Sequence, residues 1–114
     1  MQIEYRTRQL ELVCTDARVA SRQYGDLMAR RIHLRIKQIR MAGKVDELLR
    51  LRLGRCHALS GNRAGQYAMD LIHPKRLVFT IRGEALQVSE IQEIVDYFQR
   101  GIQTGEFCRI QTQG

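Results

Sequence analysis

One imidazole and a surplus of guanidinium groups are the most chemically capable side chains in this 114-residue chain. His57 is one of three histidines, and an imidazole titrates near neutral pH, so it can take up a proton or release one. Taken alone, its surroundings favour a structural histidine bonded to its neighbours over a catalytic one. Of the nineteen Lys and Arg residues, all but Lys37, Lys44 and Lys75 are arginine, whose planar fork matches phosphate and carboxylate oxygens. Asn62 and Arg63 lie in a glycine-flanked stretch, Gly61 to Gly65. Such a loop suits contacts to base edges and backbone, and suits equally a plain turn with Asn in the left-handed conformation. His33, Cys56, His57 and His73 have no metal-ligand spacing, and no phosphate-binding glycine motif is present, so neither metal nor other cofactor is expected.

The net charge is +7 and is unevenly placed. Residues 1–57 hold 13 Lys and Arg against 6 Asp and Glu, whereas residues 58–114 hold 6 of each. A polyanionic partner and a solvated helix face that keeps the chain dissolved explain this equally well. A membrane-surface helix explains it poorly, because the apolar stripe of the arginine-rich helix is needed to cover a sheet. Cys14, Cys56 and Cys108 are an odd and sparse set, as expected of reduced thiols. With a polar N-terminal stretch and no apolar run of membrane-spanning length, a cytoplasmic location is expected. The length suits one domain.

The elements that must position these groups follow from periodicity. Ile3 and Tyr5 alternate with polar residues in a short strand, and Thr7 is an N-cap for a helix over residues 8–24. Gly25-Asp26 closes that helix and caps the next, whose stripe is Met28, Ile32, Ile36 and Ile39. Arg30, Arg31, Arg35, Lys37 and Arg40 fill much of its remaining circumference, and Gly43 ends it. Val45, Leu48 and Leu49 suggest one further helical turn. From Gly54 the period becomes two. RCHAL, QYAMDLI and RLVFTI read as strands, with Tyr67, Met69, Leu71, Leu77, Phe79 and Ile81 inward and Arg76, Val78 and Thr80 outward. Residues 86–97 form the last strand, with a bulge expected near Ser89-Glu90, where the apolar parity shifts. The expected architecture is α+β, in the order β-α-α-β-β-β, with a helical hairpin on one face of a mostly antiparallel twisted sheet. Such a sheet leaves a second face for function.

The segment GRCHALSGNRAGQYAMDLIHPKRLVF, residues 54–79, and IQEIVDY, residues 91–97, are similar to the HigB-like, or plasmid maintenance killer, branch of the RelE/ParE toxin superfamily. The resemblance covers residues 1–98 as a RelE/HigB-like toxin domain; residues 99–114 form a polar tail, expected to be loose. It implies a toxin of a type II toxin–antitoxin system. Such a toxin is a ribosome-dependent endoribonuclease that cleaves messenger RNA, and a HigA-like helix-turn-helix antitoxin neutralises it in a toxin–antitoxin hetero-oligomer.

Cleavage by a 2′-hydroxyl needs a proton acceptor, cations for the crowded phosphate and a proton donor to the leaving 5′ oxygen. The resemblance places His57 where HigB toxins use a histidine, and Arg76 where RelE-type toxins hold the scissile phosphate. Asp96 and Tyr97 match the acidic-aromatic pair near the C-terminus: Asp96 would orient a base, and Tyr97 would stack on a nucleobase or give its hydroxyl proton. Arg55, Asn62, Arg63 and Lys75 are the residues expected to contact RNA. Tyr67 matches a RelE strand tyrosine, but alternation points it into the core.

Where RelE carries two lysines on the strand after that tyrosine, this chain has Ala68 and Asp70. The lysine-based mechanism therefore does not transfer, which leaves an arrangement of His, Asp and Arg. Two alternatives stay open: a ParE-like gyrase inhibitor acting by protein binding, and a non-catalytic remnant that binds only antitoxin or RNA.

Overall fold

The computed structural model describes residues 1–96; Tyr97 and the tail expected over 99–114 lie outside the described residues. The elements run β1 (Gln2–Tyr5), α1 (Arg8–Thr15), α2 (Ala17–Tyr24), α3 (Asp26–Met41), α4 (Val45–Arg50), β2 (His57–Ala58), β3 (Gln66–Asp70), β4 (Lys75–Arg82) and β5 (Val88–Asp96). The expected α+β architecture is present: helices pack on one face of a five-stranded sheet. Among the described residues, no helix is long and apolar enough to cross a membrane.

Local chemistry explains the helix boundaries. The Thr7 hydroxyl accepts from the Leu10 amide at 3.1 Å, which caps α1 as expected. The helix expected over 8–24 is broken at Asp16, whose backbone is extended and whose carboxylate accepts from the Arg18 amide at 2.9 Å. Asp16 thus serves as an N-cap inside an unbroken apolar period. Gly25, with φ of 87°, ends α2 and leads into α3 without a side-chain cap, and Asp26 is the first residue of α3 rather than its cap. There its charge still faces the positive end of the helix. The third helix ends at Met41, just short of Gly43, and α4 is the further turn marked by Val45, Leu48 and Leu49.

The sheet order is β1-β5-β4-β3-β2, parallel between β1 and β5 and antiparallel elsewhere. Ile32, Ile36 and Ile39 from α3 meet Met69, Leu77, Phe79 and Ile91 from the sheet in the main core. Tyr67 is on this face, as alternation requires, with its ring stacked on Phe79 at 5.8 Å. The bulge lies later than expected. Val78 pairs with Glu93 and Phe79 with Ile91, so Gln92 is the extra residue, and β5 changes parity there rather than at Ser89-Glu90. The strand expected over RCHAL shrinks to His57–Ala58, because the preceding residues form a tight turn.

Two expectations about exposure are corrected. Arg76 and Val78 do point away from the helices, yet they are 5% and 0% exposed. They belong with Ala68 and Val95 on the second face, and Leu59 packs onto the Ala68, Val78 and Val95 cluster there. Arg35, counted with the surface arginines of α3, is buried, and its place is described below.

Candidate nucleic-acid interface on the second sheet face

Strand register defines this face. His57 pairs with Ala68, Ala68 with Val78, and Val78 with Glu93; one pleat along, Asp70 pairs with Arg76 and Arg76 with Val95. Directly opposed residues share a face, so His57, Asp70, Arg76 and Glu93 all surround an apolar floor of Ala68, Val78 and Val95. His57 and Arg76 stand two strands and one pleat apart, on the order of 10 Å between Cα atoms.

His57 is half-buried at the β2 edge, and its Nδ1 lies 2.9 Å from the main-chain carbonyl of Arg55. A carbonyl can only accept, so Nδ1 is the donor in this contact, and in the neutral imidazole the lone pair then falls on Nε2. The same Arg55 sends its Nε to the Asp70 carboxylate at 3.0 Å, although most of its side chain is exposed. Arg55 therefore links the imidazole and the carboxylate by two different parts of one residue. It holds a left-handed backbone, φ 53°, as does Arg52 at φ 54°, a conformation costly for a residue with a side chain.

That turn rests on Arg35, which sequence reasoning missed. The Arg35 guanidinium passes beneath Gly54, and its Nε donates to the Asp70 carbonyl at 2.7 Å while Nη1 donates to the Gln38 side chain at 3.1 Å. Burial lowers the Arg35 pKa, with Arg31 adding to the effect and Asp70 opposing it. Gly54, with φ of 58°, lies so close that a Cβ there would sit 2.6 Å from Arg35 Nε. A buried arginine whose principal partner is a main-chain carbonyl leaves no complementary acid in the sequence to reveal it.

At the other end of the face, Arg63 forms an ion pair with Glu93 and donates to Gln66 Oε1 at 2.9 Å. Arg63 is half-buried, and Asn62 is exposed beside it in the short 3-10 turn Gly61–Arg63. Glu93 had no place in the sequence-based site. Its position follows from the bulge at Gln92, which turns Glu93 onto the second face.

Lys75 and Asp96 stand elsewhere. They pair across β4 and β5, with Lys75 Nζ 2.7 Å from Asp96 Oδ1, in register one residue beyond Arg76 and Val95 and so on the helix-facing side. Both charges act on the Tyr24 phenol of α2, whose pKa is raised chiefly by burial. The structure thus brings His57, Arg55 and Arg76 to one face, with Arg63 at its far end, and sets Lys75 and Asp96 on the other. Among the described residues, no group of three His, Cys, Asp or Glu side chains is arranged to hold a metal ion.

This α+β architecture has counterparts among solved structures. The chain is similar to a YoeB/ParE toxin from Agrobacterium tumefaciens, with a TM-score of 0.56 and 19% identity over 86% of this chain and all of that one. It is similar also to the YoeB dimer from Staphylococcus aureus, with a TM-score of 0.56 and 22% identity over 85% of this chain and 95% of that one. At such identities the likeness establishes the fold. No family model and no curated protein matches the sequence.

Proposed function

We propose that this protein is the toxin of a type II toxin–antitoxin system: a ribosome-dependent endoribonuclease of the HigB type that cuts messenger RNA and so stops translation. The observation that carries the reading is His57, its Nδ1 held by the Arg55 carbonyl, on the same sheet face as Arg76. The YoeB/ParE fold and the arginine excess support it.

In this reading His57 Nε2 takes the proton of a 2′-hydroxyl, whose oxygen then attacks the adjacent phosphorus. Arg76 and Arg55 offset the charge that builds on the phosphate oxygens. The 5′ oxygen leaves with a proton from the imidazolium or from the Tyr97 hydroxyl, giving a 2′,3′-cyclic phosphate and a 5′-hydroxyl end. Arg63 and Asn62 contact the RNA flanking the cut. Asp96 acts at one remove, by holding Lys75 and the ends of β4 and β5. A helix-turn-helix antitoxin of the HigA type and the ribosome are the partners that go with this reading, and the cytoplasm is its location.

The test is to induce the chain in growing cells and map the 5′ ends of messages. New ends confined to translated regions, absent when His57 is replaced by Ala, are expected; intact messages in arrested cells would overturn the reading. A second reading draws on the ion pairs Arg55–Asp70 and Arg63–Glu93, which already occupy much of this face. They favour a binding module without catalysis, or a ParE-like inhibitor of gyrase. Gyrase-dependent DNA breaks, with messages intact, would promote the latter.

A further inference from the structure

Asp70 meets three arginines. Its Oδ2 lies 3.0 Å from Arg55 Nε, Arg76 is its register partner on the same sheet face, and its main-chain carbonyl accepts from Arg35. The Arg55 side chain is 77% exposed and that of Asp70 23%. The pair engages Nε, the inner nitrogen of a planar group, so holding that one N–H fixes the plane in which both Nη groups lie. Those Nη groups stay at the exposed end of the side chain, in the residue whose carbonyl holds His57. A negative charge so placed has a second effect, because it repels any phosphate drawn to Arg55 and Arg76. We propose that Asp70 is a positioning residue of this face, one that aligns the Arg55 guanidinium for a phosphate and at the same time lowers the affinity for RNA.

Stability does not account for this carboxylate. The contact that ties residue 70 to α3 runs through its main-chain carbonyl, 2.7 Å from Arg35 Nε, which any side chain would leave in place. An ion pair with so exposed an arginine adds little to folding. A residue that served only to attract RNA would be neutral or basic at this position. A charged acceptor, by contrast, orders a long side chain more firmly than a neutral one does. Alignment and repulsion are separable, since the first follows the hydrogen bond and the second follows the charge. The inference rests on the nuclease reading for its effect on rate; the order of Arg55 and the affinity for RNA are tested without it.

The test compares the wild-type chain with Asp70→Asn, which loses the charge but keeps an acceptor oxygen, and Asp70→Ala, which loses both. Three quantities are read: solvent exchange of the Arg55 Nε–H by NMR, affinity for a short single-stranded RNA of mixed sequence, and single-turnover cleavage of a ribosome-bound message at saturating protein. Both variants should bind the RNA about threefold more tightly. Asp70→Ala should release the Arg55 Nε–H to exchange and slow saturated cleavage about tenfold, with Asp70→Asn intermediate in both. The Arg55→Ala, Asp70→Ala double variant should cut no more slowly than Arg55→Ala, because Asp70 acts through Arg55. Tighter binding combined with slower cleavage is a split that a merely structural loss would not give. The proposal is overturned if Asp70→Ala leaves the Arg55 Nε–H as protected as in wild type, or if neither variant gains affinity. It is overturned also if the double variant loses the product of the two single losses. If no form of the chain cuts RNA, the nuclease reading falls, and exchange and affinity alone decide for or against Asp70.

Discussion

The Nε of Arg35 donates a 2.7 Å hydrogen bond to the main-chain carbonyl of Asp70, and in doing so ties helix α3 to the strand that faces Arg76. Gly54 lies against that guanidinium, in the turn that leads to Arg55 and His57. One buried cation therefore sets the height of the turn over the sheet, and through it the place of the imidazole.

Gly54→Ala should be costly on two counts: a left-handed φ, about 1–2 kcal/mol, and a Cβ in contact with Arg35. Arg35→Ala should cost about 1.5–3 kcal/mol through loss of a charge-assisted hydrogen bond in a buried setting. Denaturant unfolding checks both. Because the two residues touch, the double variant should lose less than the two single losses added together. Full additivity would detach the turn from Arg35.

Burial raises the Cys14 thiol from 9.0 to about 12 and the Cys56 thiol from 9.0 to about 11. A thiol raised in the folded state favours folding at every pH below its unfolded value. That contribution fades once the unfolded chain begins to ionise. Stability should accordingly hold up to about pH 9 and decline from there toward 11 or 12. Melting curves across this range, compared with those of a Cys14→Ala, Cys56→Ala variant, isolate the effect, since the variant should lack this component of the alkaline decline. In a Cys108→Ser background, iodoacetamide at pH 8 should modify the native protein far more slowly than the denatured one.

Phosphate-led binding weakens as salt rises, with a slope set by the number of cations engaged. Arg55→Ala should lower affinity for single-stranded RNA and reduce the logarithmic salt slope by about 0.7, one contact's worth. Lys75→Ala should change the slope little, because Lys75 is paired with Asp96 on the helix-facing side. Equal effects from both substitutions would argue against the second sheet face as the RNA surface.

Much of this fold was legible in periodicity. The Thr7 cap, the α3 stripe, the inward Tyr67 and the paired strands β3 and β4 are local patterns, and each occurs where it is read. What escaped was set by tertiary contacts. Asp16 breaks a helix whose apolar spacing continues across it. Arg35 is indistinguishable in sequence from Arg30, Arg31 and Lys37, since its principal partner is a backbone carbonyl. Glu93 and Asp96 show the same point on β5. A bulge at Gln92, a few residues from the one expected, decides which acid reaches the face of His57 and Arg76. Resemblance in sequence located Asp96 along the chain but not on a side of the sheet.

The most direct measurement is single-turnover cleavage of a defined message on purified ribosomes by the wild-type chain and by His57→Ala and Arg76→Ala variants that remain folded. The account predicts 2′,3′-cyclic phosphate ends from the wild type and a loss of rate of about a hundredfold or more in each variant. Cleavage at the wild-type rate by the His57→Ala protein would contradict it.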